Sequence, residues 1–215
     1  LKMVDRDMVK GSYVEPIKEF FDRYGRSVAL ILLLLVGLYR ISDIVLGVIS
    51  NVFYQDMGFT NSEIATVVKT FGLVMTLLGG YLGGVLTSRF GVMKILFLGA
   101  VLSAGTNILF MIMAGVGKDM TLFYLVISAD NLSAGLASAA FVAFLSSLVN
   151  ISFTAMQYAI FSSLMTLLPK VLGGYSGTMV DSIGYESFFI FTTIIGIPVL
   201  YIIWLAGKKL EIGKT

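Results

Sequence analysis

With 215 residues, 57% hydrophobic and only 13% charged, and a mean hydropathy of +0.93, the chain falls outside the range of soluble domains, where about 25% of residues are charged. It has no Cys and no His, which excludes disulfides, thiolate metal sites and the usual near-neutral proton carrier, so a carboxylate has to do any proton carrying. The net charge of +2 leaves no nucleic-acid footprint, and the composition is that of an all-α polytopic membrane protein with little soluble mass.

The first 26 residues are mixed in charge and hold Lys2, Arg6, Lys10, Lys18, Arg23 and Arg26. A signal peptide has a short basic start and then an apolar core, a pattern this segment lacks. Ile17, Phe20, Phe21 and Tyr24 recur at three and four, and Pro16 stands where a first turn tolerates it, which predicts a short interfacial helix. Six apolar segments follow, at 28–52, 63–87, 94–116, 120–148, 153–180 and 187–206. The expected organisation is a linker with an interfacial helix over 1–26, a six-helix transmembrane bundle over 27–207 and a tail over 208–215. Asn61-Ser62 with Glu63 reads as the N-cap of the second span, and Asp119 as that of the fourth.

Positive residues in short loops mark the cytoplasmic side. Six spans place eleven of the fifteen Lys and Arg on the side of both termini, among them Arg89, Lys94, Lys208, Lys209 and Lys214. The opposite side has only Lys118, and Arg40, Lys69 and Lys170 fall inside spans. Both termini are therefore expected to be cytoplasmic.

The first span carries Arg40 and Asp43 around mid-depth. A central Arg or Asp costs about 2.5–3.5 kcal/mol on insertion scales, so a helix that merely anchors has no reason to keep both. At i and i+3 they share a face, either as an internal ion pair that fixes helix packing or as a polar face lining a water-filled path.

An internal repeat sets the architecture. FGLVMTLLGGYLGG at 71–84 and FSSLMTLLPKVLGG at 161–174 are identical at eight of fourteen positions, at an offset of 90 residues. The offset lays the second span over the fifth, the first over the fourth and the third over the sixth. Three crossings are an odd number, so the copies are inverted, as in each six-helix half of a major facilitator transporter. Arg40 aligns with Asp130. The repeat also extends the fifth span to about Val180, which makes Lys170 intramembrane, directly after Pro169.

Gly84-Val-Leu-Thr-Ser-Arg89-Phe-Gly91-Val-Met-Lys94 has the spacing G-x-x-x-[D/S]-R-x-G-x-x-K and resembles the cytoplasmic loop motif of the major facilitator superfamily. Gly84 would allow close helix approach, Gly91 a tight turn, and Arg89 and Lys94 would cap carbonyl ends or pair with acids in one conformational state. Ser88 stands where that motif usually has Asp. Lys69 lies two turns inside the second span, within snorkelling reach of the surface. Asp130 and Asn131 open the polar face DNLSAGLASAAF, about 15 Å into the fourth span, too deep for an aspartate to snorkel; Asp130 either pairs with Arg40, Lys69 or Lys170 or titrates. Asn150, Gln157 and Tyr158 read as helix-helix hydrogen bonds. Three intramembrane cations against two acids, Asp43 and Asp130, leave a positive surplus that favours an anionic solute.

LYRISD at 38–43, EIATVVKTFGL at 63–73 and DNLSAGLASAAFVAFLSSLVNISFTAMQYAIFSSL at 130–164 resemble the C-terminal half of AmpG-type muropeptide permeases. The resemblance implies a major facilitator fold and proton-driven import of anhydromuropeptides, anionic disaccharide-peptides, across the bacterial inner membrane for cell-wall recycling. It implies that Arg40, Lys69, Lys170 and Asn131 face substrate and that Asp43 and Asp130 couple protons. A complete permease has twelve or more helices, so a missing N-terminal half is the expected partner. Other readings are a carrier of a different anionic solute and a non-transporting sensor or platform for a peptidoglycan-derived ligand. No cofactor, metal or enzymatic activity is expected, because no nucleophile-base pair and no phosphate-cradling loop is present.

Overall fold

A computed structural model describes residues 10–212. Residues 1–9 and 213–215 lie outside the described residues, with Lys2, Arg6 and Lys214 of the cation tally and parts of the predicted linker and tail. In lipid a chain satisfies its backbone groups internally as helices or closed barrels, and here it does so entirely as helices: among the described residues there is no strand.

A π turn at Lys10–Val14 leads into α1 (Glu15–Tyr24), which has Pro16 in its first turn. The first span is α2 (Arg26–Leu38) followed by α3 (Ile41–Asp56). The second joins α4 (Asn61–Ile64), a π-helical stretch Ala65–Phe71 and α5 (Gly72–Phe90). The third is α6 (Val92–Val116), the fourth α7 (Met120–Leu148), the fifth α8 (Thr154–Gly173) and the sixth α9 (Ser176–Ile212). All six are long and apolar enough to cross a membrane, so the chain is a multi-pass membrane protein.

The third and sixth spans pack against each other, the third also along the fourth and the sixth along the first. The second is laid on the fourth and the fifth on the first. Each contact has its mate under the 90-residue offset: second on fourth becomes fifth on first, third on fourth becomes sixth on first, and third on sixth maps onto itself. Glycines mark the same symmetry. A Cβ on Gly83 would come within 2.8 Å of the Leu136 Cα, and one on Gly173, 90 residues on, would come within 2.9 Å of Val48 on the first span. The inverted 3+3 repeat is thus present in the packing as well as in the sequence. An aromatic cluster of Phe53, Phe110 and Phe189, all fully buried, ties the first, third and sixth spans together, with centroids 4.8 Å (Phe53–Phe189) and 5.5 Å (Phe110–Phe189) apart.

Several local expectations need correction. The fifth span ends at Gly173 rather than near Val180, because residues 174–175 form a turn and Ser176 already opens α9. Gly184 then breaks α9 at φ 76°, a conformation that favours glycine. The second span is capped by Thr60, not Asn61-Ser62: the Thr60 hydroxyl accepts from the Glu63 amide (3.2 Å) while the Glu63 carboxylate accepts from the Thr60 amide (2.7 Å), a complete capping box. Asp119 caps the fourth span as expected, accepting from the Leu122 amide at 2.8 Å. On the side opposite the termini, Lys118 bridges Glu63 at 2.9 Å and donates to the Gly58 carbonyl, joining two loops.

Helix α1 is latched to the loop between the fourth and fifth spans. Glu19 accepts from Gln157 Nε2 (2.7 Å) and Asn150 Nδ2 (2.7 Å) and pairs with Arg23 (3.2 Å), while Arg23 donates to the Leu148 carbonyl. Gln157 is only 1% exposed, so its amide depends on these partners. Glu19→Ala leaves a buried amide short of an acceptor, a loss of about 1–3 kcal/mol. Hydrogen exchange of the α1 amides should therefore accelerate while that of α6 stays unchanged; unaltered exchange in α1 would mean that the latch holds nothing.

Candidate functional site

The site starts from a break in a helix. Arg40 leaves helical geometry (φ −97°, ψ 11°) between α2 and α3, so the first span is interrupted at its most polar point. Its guanidinium reaches Asp43 at 3.1 Å and donates to the Ser138 hydroxyl on the fourth span. Asp43 accepts from the Ser103 hydroxyl on the third span. One turn further along that span, Thr106 donates to the Asp130 carboxylate of the fourth at 3.4 Å. Arg40 and Asp43 retain 22% and 15% side-chain exposure. The charges therefore lie inside the bundle, between the first, third and fourth spans.

A second polar layer lies beside this one. Asn107 donates to the Ser42 hydroxyl at 2.7 Å, and Ser42 donates to the Thr192 carbonyl of the sixth span at 2.6 Å, with all three residues buried. Tyr39 donates to the Leu96 carbonyl (3.2 Å) and stacks on Phe141 at 4.6 Å, which holds the chain on either side of the Arg40 break. Hydrocarbon offers no alternative partners for these groups, so such bonds fix helix register.

Sequence reasoning put Arg40 and Asp43 on one face, as an ion pair or as the lining of a path, and in the structure the two form an ion pair. Asp130 makes no ion pair among the described residues; its partner is Thr106. Asn131 is turned to the second span, where its side-chain oxygen accepts from Thr76 at 2.9 Å and its amide donates to the Ile127 carbonyl. Lys69 and Lys170 are both exposed, on the π-helical stretch of the second span and in the last turn of α8, and neither reaches a described carboxylate. Lys170 borders a shallow recess with Ser163 and Thr166. In the loop motif Gly91 takes φ 89° and closes α5 through its amide to the Thr87 carbonyl. Gly84 does not mediate the close approach expected of it: a Cβ there would meet open space, and Gly83 makes the contact instead. Arg89 lies over Phe90 at 5.5 Å, and neither Arg89 nor Lys94 pairs with a described acid.

Ser138 belongs to the polar face DNLSAGLASAAF, whereas Ser103 and Thr106 went unnoticed in the sequence. Their signal is the run Ser103, Thr106, Asn107 at i, i+3 and i+4, one face of an otherwise apolar third span. Among the described residues no group of three or more His, Cys, Asp or Glu comes together as a metal site.

No protein-family model matches the chain. Over 199 residues, 93% of its length, it is 31% identical to "Putative transporter AmpG 4" of Rickettsia felis, covering 47% of that protein. Over 187 residues, 86% of its length, it is 35% identical to "Putative transporter AmpG 1" of Rickettsia bellii, covering 46%. The chain is similar over most of its length to proteins named as AmpG transporters. An uncharacterized Haemophilus influenzae protein is 36% identical across 93% of this chain, which covers 49% of it. The chain thus spans about half the length of the curated relatives it matches.

Proposed function

We propose that the AmpG-like chain is one six-helix half of a proton-coupled carrier that imports anhydromuropeptides across the bacterial inner membrane, with both termini cytoplasmic. The observation that carries this reading is the asymmetry of the intramembrane charges. Arg40 and Asp43 answer each other, whereas Asp130 has, among the described residues, a single hydroxyl partner and no ion pair. A lone carboxylate held in a bundle is costly until something neutralises it, and a proton is the smallest neutralising group. Asp130 is then the proton carrier, with Asp43 and Arg40 able to exchange partners as cargo binds. Lys69 and Lys170, exposed on the two flanking spans, supply cations to the cargo's carboxylates where a second bundle closes the cavity. Asn131 borders that path. The similarity to proteins named as transporters supports the carrier reading over a static platform.

Vesicles containing the full-length protein are expected to accumulate labelled anhydromuropeptide and to release it when a protonophore is added. Asp130→Asn should reduce accumulation at least tenfold, the loss expected when a coupled carrier becomes an equilibrating one, and should leave substrate-for-substrate exchange running. Wild-type uptake indifferent to the gradient would remove the coupling. Unchanged accumulation in the variant would remove Asp130 from it.

A further inference from the structure

The end of the bundle where α1, the loop after α5 and the last turns of α9 meet holds two adjoining cavities. One, of about 630 Å³, is edged by Arg23, Lys94 and Lys209 over a floor that includes Phe144 and Leu148. The other, of about 420 Å³, lies between the third and sixth spans over Phe97, Ile203 and Trp204, edged by Lys94 and Lys208. Met93, Lys94 and Gly207 border both, so the cleft has two lobes that share this edge.

The cleft is cationic at its rim and apolar below. Arg23 is matched by Glu19, and no ion pair among the residues whose side chains are described, which do not include Glu211, involves Lys94, Lys208 or Lys209. Lys208 sits 5.4 Å from the Trp204 ring, which stacks on Tyr201 and is 54% exposed. Amphipathic aromatic side chains take such positions at the boundary between bilayer and water. A soluble anion has no use for the floor of Phe97, Ile203 and Trp204, and a neutral lipid has none for three lysines from two helix ends. A negatively charged phospholipid matches both halves of the cleft, as basic pockets between membrane helices do elsewhere.

We propose that this cleft binds an anionic phospholipid, its phosphate on Lys94, Lys208 and Lys209 and one acyl chain along Phe97, Ile203 and Trp204. The lipid then ties the start of the third span to the end of the sixth, two spans that already pack on each other.

Trp204 is the only tryptophan in these 215 residues, so in vesicles holding this chain its fluorescence reports the cleft. In phosphatidylcholine vesicles, phosphatidylglycerol with brominated acyl chains should quench Trp204 more strongly than brominated phosphatidylcholine at the same mole fraction. The preference should fall about fivefold for each lysine removed, as read in K94Q/K209Q, which leaves the Lys208–Trp204 contact in place. K118Q, at the opposite end, should keep the full preference. Continued quenching of K94Q/K209Q by the brominated neutral lipid shows that the variant is still inserted. Equal quenching by both lipids in the wild type, or a preference unmoved in K94Q/K209Q, overturns the proposal. Loss of the preference in millimolar inorganic phosphate at constant ionic strength overturns it too, because the cleft would then read a free anion.

Discussion

Replacing Gly135 by leucine should prevent the second and fourth spans from docking, and Gly79→Leu should do the same from the other side. A Cβ on Gly135 would overlap the Thr76 carbonyl oxygen and come within 2.8 Å of the Gly80 amide nitrogen. A Cβ on Gly79 would overlap the Leu132 carbonyl and lie 2.9 Å from its carbon. These obstacles are backbone on both sides, so neither can be rotated away. Ordinary overpacking costs about 1–3 kcal/mol, and here the expected loss exceeds that range because two helices must separate. The contact continues as a ladder of small residues, with Gly72 and Thr76 on Asn131 and Gly83 on Ala139, the packing that replaces the hydrophobic effect between helices in lipid. Gly105, whose Cβ would meet open space, is the control. Gly105→Ala should be neutral or stabilising by up to about 1 kcal/mol, since alanine is the better helix former. Denaturant unfolding in detergent gives both numbers; a Gly135→Leu protein as stable as the wild type would show that the two spans do not lie this close.

The second large effect belongs to the ion pair. Arg40→Gln strands Asp43 inside the bundle with only the Ser103 hydroxyl, and removing one partner of a buried pair costs about 3–5 kcal/mol. Arg40→Gln with Asp43→Asn should recover most of that loss, because two neutral amides bring no desolvated charge. The cycle isolates the coupling between the two residues. If the double variant were as unstable as the single, the cost would lie in Arg40's bond to Ser138 or in the helix break, and the pair would carry little. Asp130, which makes no ion pair among the described residues, should behave differently: Asp130→Asn removes none, so its stability should change far less than that of Arg40→Gln.

These expectations separate what the residues announce from what only the fold reveals. The spans announce themselves because twenty apolar residues have few other uses, and the 90-residue repeat was readable from eight identities in fourteen positions, among them the contact glycines Gly83 and Gly173. Helical spacing put Arg40 and Asp43 on one face but left open whether they pair or line a path. The break at Arg40 was not legible, because nothing in LYRISD carries a Pro or Gly to mark it. Ser103 and Thr106 were hidden for another reason. Hydroxyls in apolar helices commonly bond their own backbone, as Ser163 does to Ala159, Ser146 to Val142 and Thr106 itself to Ser103, so a hydroxyl that also faces a neighbouring carboxylate looks the same in sequence. The end of the fifth span was misplaced because the repeat, and not the local residues, set it: Gly173-Gly174 already marks the turn that follows. Thr60 was overlooked beside Asn61 and Ser62, although Thr60-x-x-Glu63 spells the capping box.

The exchange of partners between the repeats also bears on biosynthesis. The second span finds its seat on the fourth and the fifth on the first, so each triplet lends its middle helix to the other. When the second span leaves the ribosome, the surface that will receive its glycine ladder is still some forty residues from being made. It must wait beside the insertion machinery or in lipid with that ladder unfilled. Completion of the fourth span at Leu148 is therefore the first moment at which a native pairing of the two can close, and neither triplet has a resting shape of its own before then.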